Sequence, residues 1–503
     1  MGNNRSKLAK SDWISLSAFS LFVVFYYLYF IKVIEGDPTI YLSFAKNFFN
    51  MPFSFGSTSN ISFGATSPAY LFFLSIFYLF GLDLFLILHK IFNCALLIFA
   101  VFICIKNTSY ILASSKSNNI SIGFICVVAI LLNINIVDNS ARHYESAFVL
   151  FFTAILMHFF LQGRLYATTA LASFSYLVRP EIVSIQILFV LFLLYSQNKL
   201  FTIKAIPVFL ISLSPLILYH FYMYENTGAI IPSSIISRAI RSSDSSYLSS
   251  IIYLLRTNSQ IFVFFAFCSL LGARYILNNN LKIFSGSFGR GQFAFYSSLS
   301  IGLILLASKS FSTRYFEFVV APIVPFLAVL VCSYVNEKIR QKFYVACLAM
   351  LFLFITFKVI RPDYRNDSYL SNRLDKNFAE KFNHFADSSE KIALYEVELQ
   401  YYINATVVSL DARVGNQMIP FFTGKEDLLS AMQRHSIKYL GVDEHVSPRI
   451  RRDEFYQFLL AEDSKLAVGS EVSYKNIRIK KIIGNDNLDI DWKMWGSIYQ
   501  IYH

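Results

Sequence analysis

Long apolar runs separated by short polar breaks occupy roughly the first 360 residues of this 503-residue chain. Runs of membrane-spanning length, about 17–25 residues, fall at 13–34, 84–105, 119–137, 145–161, 165–178, 182–198, 205–224, 258–277, 292–308, 315–335 and 343–360. The pattern predicts a polytopic α-helical membrane protein with about eleven transmembrane helices. An odd number of spans puts the two ends on opposite sides. With the N-terminus inside, every inner loop carries a cation, among them Lys7, Lys106, Arg164, Lys204, Arg274 and Lys338, as positive-inside topology requires. The first run has no small-residue cleavage site after it and reads as a retained helix.

Two stretches break the rhythm. The segment from Pro68 to Phe80 is apolar but too short to span, and counting it as a span would reverse every later loop. It is expected to lie in or dip into the outer interface, inside a first outer loop covering 35–83. From Arg361 onward charges mix, and β-like stretches such as KIALYEV, ATVVSL, IKYLGV and YKNIRIKKII alternate with helical polar segments. The expected organisation is therefore a transmembrane domain over 1–360 and a soluble extracytoplasmic α/β domain over 361–503, large enough for a core of its own.

Composition agrees with this division. The chain is 55% hydrophobic, 17% aromatic and only 15% charged, too apolar for an ordinary soluble protein. The formal charge of +12 sits in short loops between apolar runs and not in basic–aromatic patches, which argues against nucleic acid as a partner. The six cysteines lie in or beside apolar segments with no CxxC spacing, so neither a disulfide framework nor a zinc site is expected.

The carboxylates change the picture more. Between residues 1 and 360 the topology places all of them except Asp12 and Glu337 at or near the outer face. Acidic groups are costly in a membrane protein, so their collection on one side points to an active or binding surface there. Five outer features carry candidate chemistry: Glu35-Gly36-Asp37 with Tyr41, Asn47 and Ser67; Arg142 to Glu145; Arg179-Pro180-Glu181; Glu225 to Ser233 with Arg238; and Arg314-Tyr315. Arginines clamp phosphate through forked donors, and a carboxylate can take a proton from an attacking hydroxyl. Each feature also has a plain structural reading. Arg179 and Glu181 could form an internal ion pair, Arg314 could anchor at the headgroups, and His143 is better read as a polar loop residue than as a metal ligand. Lys90 and Lys358, inside apolar runs, have no place in this scheme.

Several of these segments resemble the GT-C superfamily of membrane glycosyltransferases. The resemblance is carried by D-x-x-I-Y-x-x-x-A-x-N from Asp37 to Asn47, followed by Thr66-Ser67-Pro68; by Tyr144-Glu145-Ser146; by L-V-R-P-E from Leu177 to Glu181; by Gly228 to Ser234; and by Arg314-Tyr315. With the C-terminal stretch Tyr395 to Asn416, the pattern most resembles the branch containing the terminal arabinofuranosyltransferases of the mycobacterial cell wall. The resemblance implies a transferase that takes a sugar from a polyprenyl-phosphate donor to a cell-envelope glycan or glycolipid acceptor, on the periplasmic side of the bacterial inner membrane. It implies Asp37 as catalytic base, with Glu35 as its rival and Glu145 as a second acid. Arg179, Arg314 and Arg142 would bind the donor phosphate. Glu181, Tyr41, Asn47, Ser67, Ser233, Arg238 and Tyr315 would bind or support substrate. No cofactor is certain; a divalent cation is possible, since metal use differs among superfamily members. A polysaccharide polymerase and a lipid-linked sugar flippase are the alternatives. Pro38 is expected to hold Asp37 in an extended conformation.

Overall fold

The computed structural model describes residues 8–29, 37–55, 61–112, 121–198, 205–237, 247–279, 286–307, 316–335, 378–395, 397–410, 417–442, 446–484 and 497–502, with a few isolated positions between them. Helices α1 (Lys10–Tyr29), α2 (Asp37–Asn47), α3 (Pro68–Tyr78) and α4 (Leu82–Leu112) come first. They are followed by α5 (Ile122–Leu131), α6 (Ile134–Ala141), α7 (Ser146–Leu161), α8 (Leu165–Ala172), α9 (Ser175–Val178), α10 (Val183–Ser196) and α11 (Ala205–Thr227). Three more helices, α12 (Tyr247–Asn279), α13 (Gly286–Ala307) and α14 (Glu317–Tyr334), complete the helical part. Within the described residues each of the first ten apolar runs is largely helical, and the eleventh, 343–360, lies outside them.

Among the described residues four helices are long and apolar enough to cross a membrane: α1, α4, α11 and α14. Two other apolar runs are interrupted by local chemistry. The run at 119–137 is bent by 67° between α5 and α6. There the Asn133 side chain donates to the Ala129 carbonyl at 2.9 Å, drawing away an acceptor that the helix ladder would use. The run at 165–178 breaks at Ser173, whose hydroxyl donates to Ala170 O at 2.7 Å. Between α9 and α10, Arg179 is extended (φ −167, ψ 130), as expected before a proline. Irregular backbone at membrane depth is tolerated where protein covers it: α5 packs on α14, whose residues from Glu317 to Cys332 are all buried, and Arg179 reaches Glu317 at its start. Helices α4 and α7 pack on each other and on α14.

Close approach of helices is explicit at two glycines. A Cβ on Gly123 would stand 2.8 Å from the Asp12 Cα, and one on Gly302 would stand 2.1 Å from the Phe265 ring. Asp12 uses the first approach: its carboxylate accepts from Gly123 N at 2.8 Å, Ser121 Oγ at 3.2 Å and Ala9 N at 3.2 Å. This pins the start of α1 to the start of α5.

The C-terminal part is the expected α/β unit, a six-stranded mixed sheet of order β2-β1-β3-β6-β5-β4. Strands β1 (Lys391–Leu394), β2 (Thr406–Ser409) and β3 (Tyr439–Val442) are parallel, with β1 in the middle. Strands β4 (Glu471–Tyr474), β5 (Ile477–Ile483) and β6 (Ser497–Tyr502) are joined to β3 and to each other by antiparallel pairing. The stretches read as β-like contain β1, β2, β3 and β5; β6, at the heart of the sheet, has no counterpart among them. Helices Leu428–Arg434 and Glu454–Asp463 cover one face. Asp453 serves both of their first turns, accepting from Tyr456 N and Leu428 N at 3.1 Å each.

The other face of the sheet does not end in solvent. Ile392, Leu394, Val407, Tyr439 and Ile498 belong to the same apolar core as the membrane helices. The join is a 3₁₀ turn, Val397–Tyr401, packed on α2. Gln400 fixes that turn, accepting from Val407 N at 2.6 Å and donating to Ala405 O at 3.0 Å.

Candidate functional site

Helix α2 opens at Asp37, with Pro38 in its first turn. A missing N–H costs nothing there, and the extended conformation expected of Asp37 gives way to the first position of a helix. The Asp37 side chain lies outside the described residues, as do Glu35, Arg238, Arg314 and Tyr315. The rest of α2 from Thr39 to Ala45 is almost wholly buried. Tyr41 shares a hydrogen bond with Thr66 at 2.9 Å and meets the edge of Tyr70 at 5.6 Å. Asn47 is half-buried at the end of α2, where its carbonyl accepts from Asn50 N and Met51 N. Ser67 precedes α3 and donates to Val178 O at 2.6 Å, tying the first loop to the break that carries Arg179. Ser233 is buried and docks on the same loop through its N–H to Phe63 O at 3.0 Å.

The ion cluster forms at the α6–α7 turn, the α9–α10 break and the start of α14. Arg179, 1% exposed, faces Glu145 at 3.5 Å, Glu181 at 3.5 Å and Glu317 at 3.4 Å. The residue expected to bind the donor phosphate is thus engaged by three carboxylates, and the ion pair with Glu181 anticipated as its plain structural reading is one of the three. Glu317 is held further by Ser146 Oγ and by Asn139 Nδ2 at 3.1 Å. Glu145 is also 1% exposed, and its two oxygens accept no hydrogen bond from any described residue. Three carboxylates around one guanidinium leave excess negative charge in a buried place, which is expensive unless further donors or cations arrive. Glu317 also lines a small cleft with Asn133, Asn135, Ile136, Ile261, Phe316 and Val320, with room for about one water molecule.

Arg142 stands apart from this cluster. Its Nε lies 3.2 Å from Asp138 Oδ1, which also accepts from Tyr26 OH at 2.9 Å. Lys90 is buried on α4. Among the described residues no group of three His, Cys, Asp or Glu side chains is arranged to hold a metal.

Two residues that sequence reasoning passed over belong to the site. Glu317 counted only as one outer carboxylate among several. His89 went unremarked inside the apolar run of α4, although an ionisable side chain at membrane depth is itself a signal. Its partner is His143, which lies in the turn between α6 and α7, as expected of a loop residue, but is buried: the two Nδ1 atoms are 2.5 Å apart. His143 has a positive φ of 70, unusual for a side chain with a Cβ and costing on the order of 1 kcal/mol or more.

No family model and no curated sequence matches this chain. Two solved structures do match it over nearly their full length. ArnT from Cupriavidus metallidurans bound to undecaprenyl phosphate is 12% identical, with a TM-score of 0.55 and 98% of each chain covered. The same protein in the apo state is 12% identical, with a TM-score of 0.53 and 97% of each chain covered. The likeness establishes a GT-C fold with a C-terminal sheet domain. At 12% identity the likeness is one of fold, and it does not support the arabinofuranosyltransferase branch that the motifs resemble.

Proposed function

We propose that this protein is an integral membrane glycosyltransferase that moves one sugar from a polyprenyl-phosphate donor to a cell-envelope glycan or glycolipid. The observation that carries this reading is the convergence of Glu145, Arg179, Glu181 and Glu317, from three distant segments, into one buried ion cluster. Support comes from the GT-C fold and from the undecaprenyl phosphate bound by the ArnT structure. The reaction is placed on the periplasmic face of the bacterial inner membrane, with the N-terminus cytoplasmic and the C-terminal domain periplasmic.

The step is a single displacement with inversion. Asp37 takes the proton of an acceptor hydroxyl as its oxygen bonds to the anomeric carbon, and the bond from that carbon to the phosphate oxygen breaks. The lipid phosphate leaves with the electron pair, its charge held by Arg314 and Arg142. Arg179 has a different part in this reading, holding Glu145, Glu181 and Glu317 in place as the acidic wall that receives the hydroxyls of the sugar.

The test is Asp37→Asn in membranes given a labelled polyprenyl-phosphate sugar and an acceptor extract. Removal of a general base lowers turnover by about 10²–10⁴-fold, so the variant should transfer almost nothing while wild type adds one sugar per acceptor. Wild-type turnover by Asp37→Asn removes that residue from the base role. A ladder of products identifies a polymerase, and movement of lipid-linked sugar across the bilayer without transfer identifies a flippase.

A further inference from the structure

Three side chains outside the ion cluster form a closed ring of hydrogen bonds around the backbone of His143. Tyr70 of α3 is fully buried, and its hydroxyl lies 2.6 Å from His89 Nε2, 3.0 Å from His143 O and 3.0 Å from Tyr144 O. His89 Nδ1 lies 2.5 Å from His143 Nδ1. Asn93, one turn along α4 from His89, donates to Ser140 O at 3.1 Å and to Tyr144 O at 3.3 Å. Phe85 stacks near both imidazoles, with ring centroids at 5.5 and 6.3 Å.

The proton positions follow from what each atom can do. His143 O has Tyr70 OH within reach, so the single hydroxyl hydrogen of Tyr70 is best used there, and His89 Nε2–H then donates to the Tyr70 oxygen. That leaves His89 Nδ1 as an acceptor, which His143 Nδ1–H fills. His143 Nε2, which has no hydrogen-bond partner among the described residues, is then a bare acceptor and not a stranded N–H. The ring closes on itself: imidazole of His143 to His89, His89 to Tyr70, and Tyr70 back to the carbonyl of His143. Side chain and backbone of one residue are gripped together, at the residue with the positive φ.

We propose that Tyr70, His89 and His143 are positioning residues that hold the α6–α7 turn in its strained shape and thereby place Glu145. Glu145 stands immediately before α7, two residues after His143, and no hydrogen bond from a described residue fixes its carboxylate; beyond the 3.5 Å contact with Arg179, its location is set by the backbone that carries it. The same Tyr70 ring meets Tyr41 edge-on, so the grip extends to α2, the helix that carries Asp37. This inference rests on the glycosyltransferase reading for its kinetic consequence but not for its structural one.

Tyr70→Phe keeps the ring and deletes only the hydroxyl that closes the cycle. In purified protein with labelled donor, it should lower kcat about tenfold with donor KM within twofold of wild type. Hydrogen exchange of the amides from Ser140 to Ser146 should quicken while that of the C-terminal sheet stays as in wild type. Adding His143→Gly supplies a residue that adopts a positive φ without strain, and the double variant should regain at least threefold of the lost kcat. Wild-type kcat together with unchanged exchange in Tyr70→Phe overturns the proposal. So does a double variant no better than the single one, or exchange that rises throughout the chain, which marks general loosening. If wild type transfers no sugar, the functional reading fails, and the exchange data alone judge the positioning role.

Discussion

Arg179 shows how a single side chain can hold a site together. Breaking a buried ion pair by removing one partner costs about 3–5 kcal/mol because the remaining charge is left uncompensated. Here three carboxylates depend on one guanidinium. Arg179→Gln should therefore lower the thermal unfolding temperature in detergent by many degrees, and Glu317→Gln in the same chain should return part of it, because it removes one of the stranded charges. Equal melting of Arg179→Gln and wild type at one scan rate would contradict this. The sequence made Glu145, Arg179 and Glu181 visible because unusual charges stood beside proline and at the ends of apolar runs. Glu317 and His89 were harder to see. Each lies in or against an apolar stretch that looks ordinary in one dimension, and its partners come from segments far away in the chain.

At the level of elements, the hydrophobic pattern located the helices well and their breaks poorly. A window that averages hydropathy over a span does not register Asn133 turning back on Ala129 O, or Ser173 on Ala170 O, because one polar side chain barely changes the mean. Strand β6 was missed for a related reason: six residues after a mixed polar stretch give little periodicity to count. The contact of α1 with α5 was equally hidden, since Gly123 reads as one more small residue in an apolar run. Its replacement by alanine should be costly, as the new Cβ meets Asp12 backbone and not a side chain that can swing aside. Overpacking of this kind costs about 1–3 kcal/mol. The unfolding temperature of Gly123→Ala should fall accordingly, and alanine at Gly228, where an added Cβ meets nothing within 4 Å, tests only backbone strain and serves as comparison.

For the whole molecule, the change of composition at residue 361 suggested two independent domains, and the six-stranded sheet is indeed a distinct architecture. The continuous core between that sheet and the membrane helices was not legible, because it is made by a five-residue 3₁₀ turn against a helix more than 300 positions earlier. Such a seam leaves no local signature. It makes a mechanical prediction: the two parts should unfold in one transition, and Leu399→Asp, which puts a charge into a fully buried position of the turn, should destabilise both. Two separated transitions in wild type, or an α2 whose hydrogen exchange ignores the Leu399 change, would show that the seam transmits nothing.

The place of β6 in the sheet bears on biogenesis. It runs between β3 and β5, so the parallel half and the hairpin half can join only after the ribosome has passed residue 502. The 3₁₀ turn itself is carried by β1 and β2, so α2, made among the first fifty residues, can meet its seat before the hairpin half is added. A chain stopped short of β6 would keep the brace on α2 but leave β3 with an unpaired edge, open to a strand from another molecule.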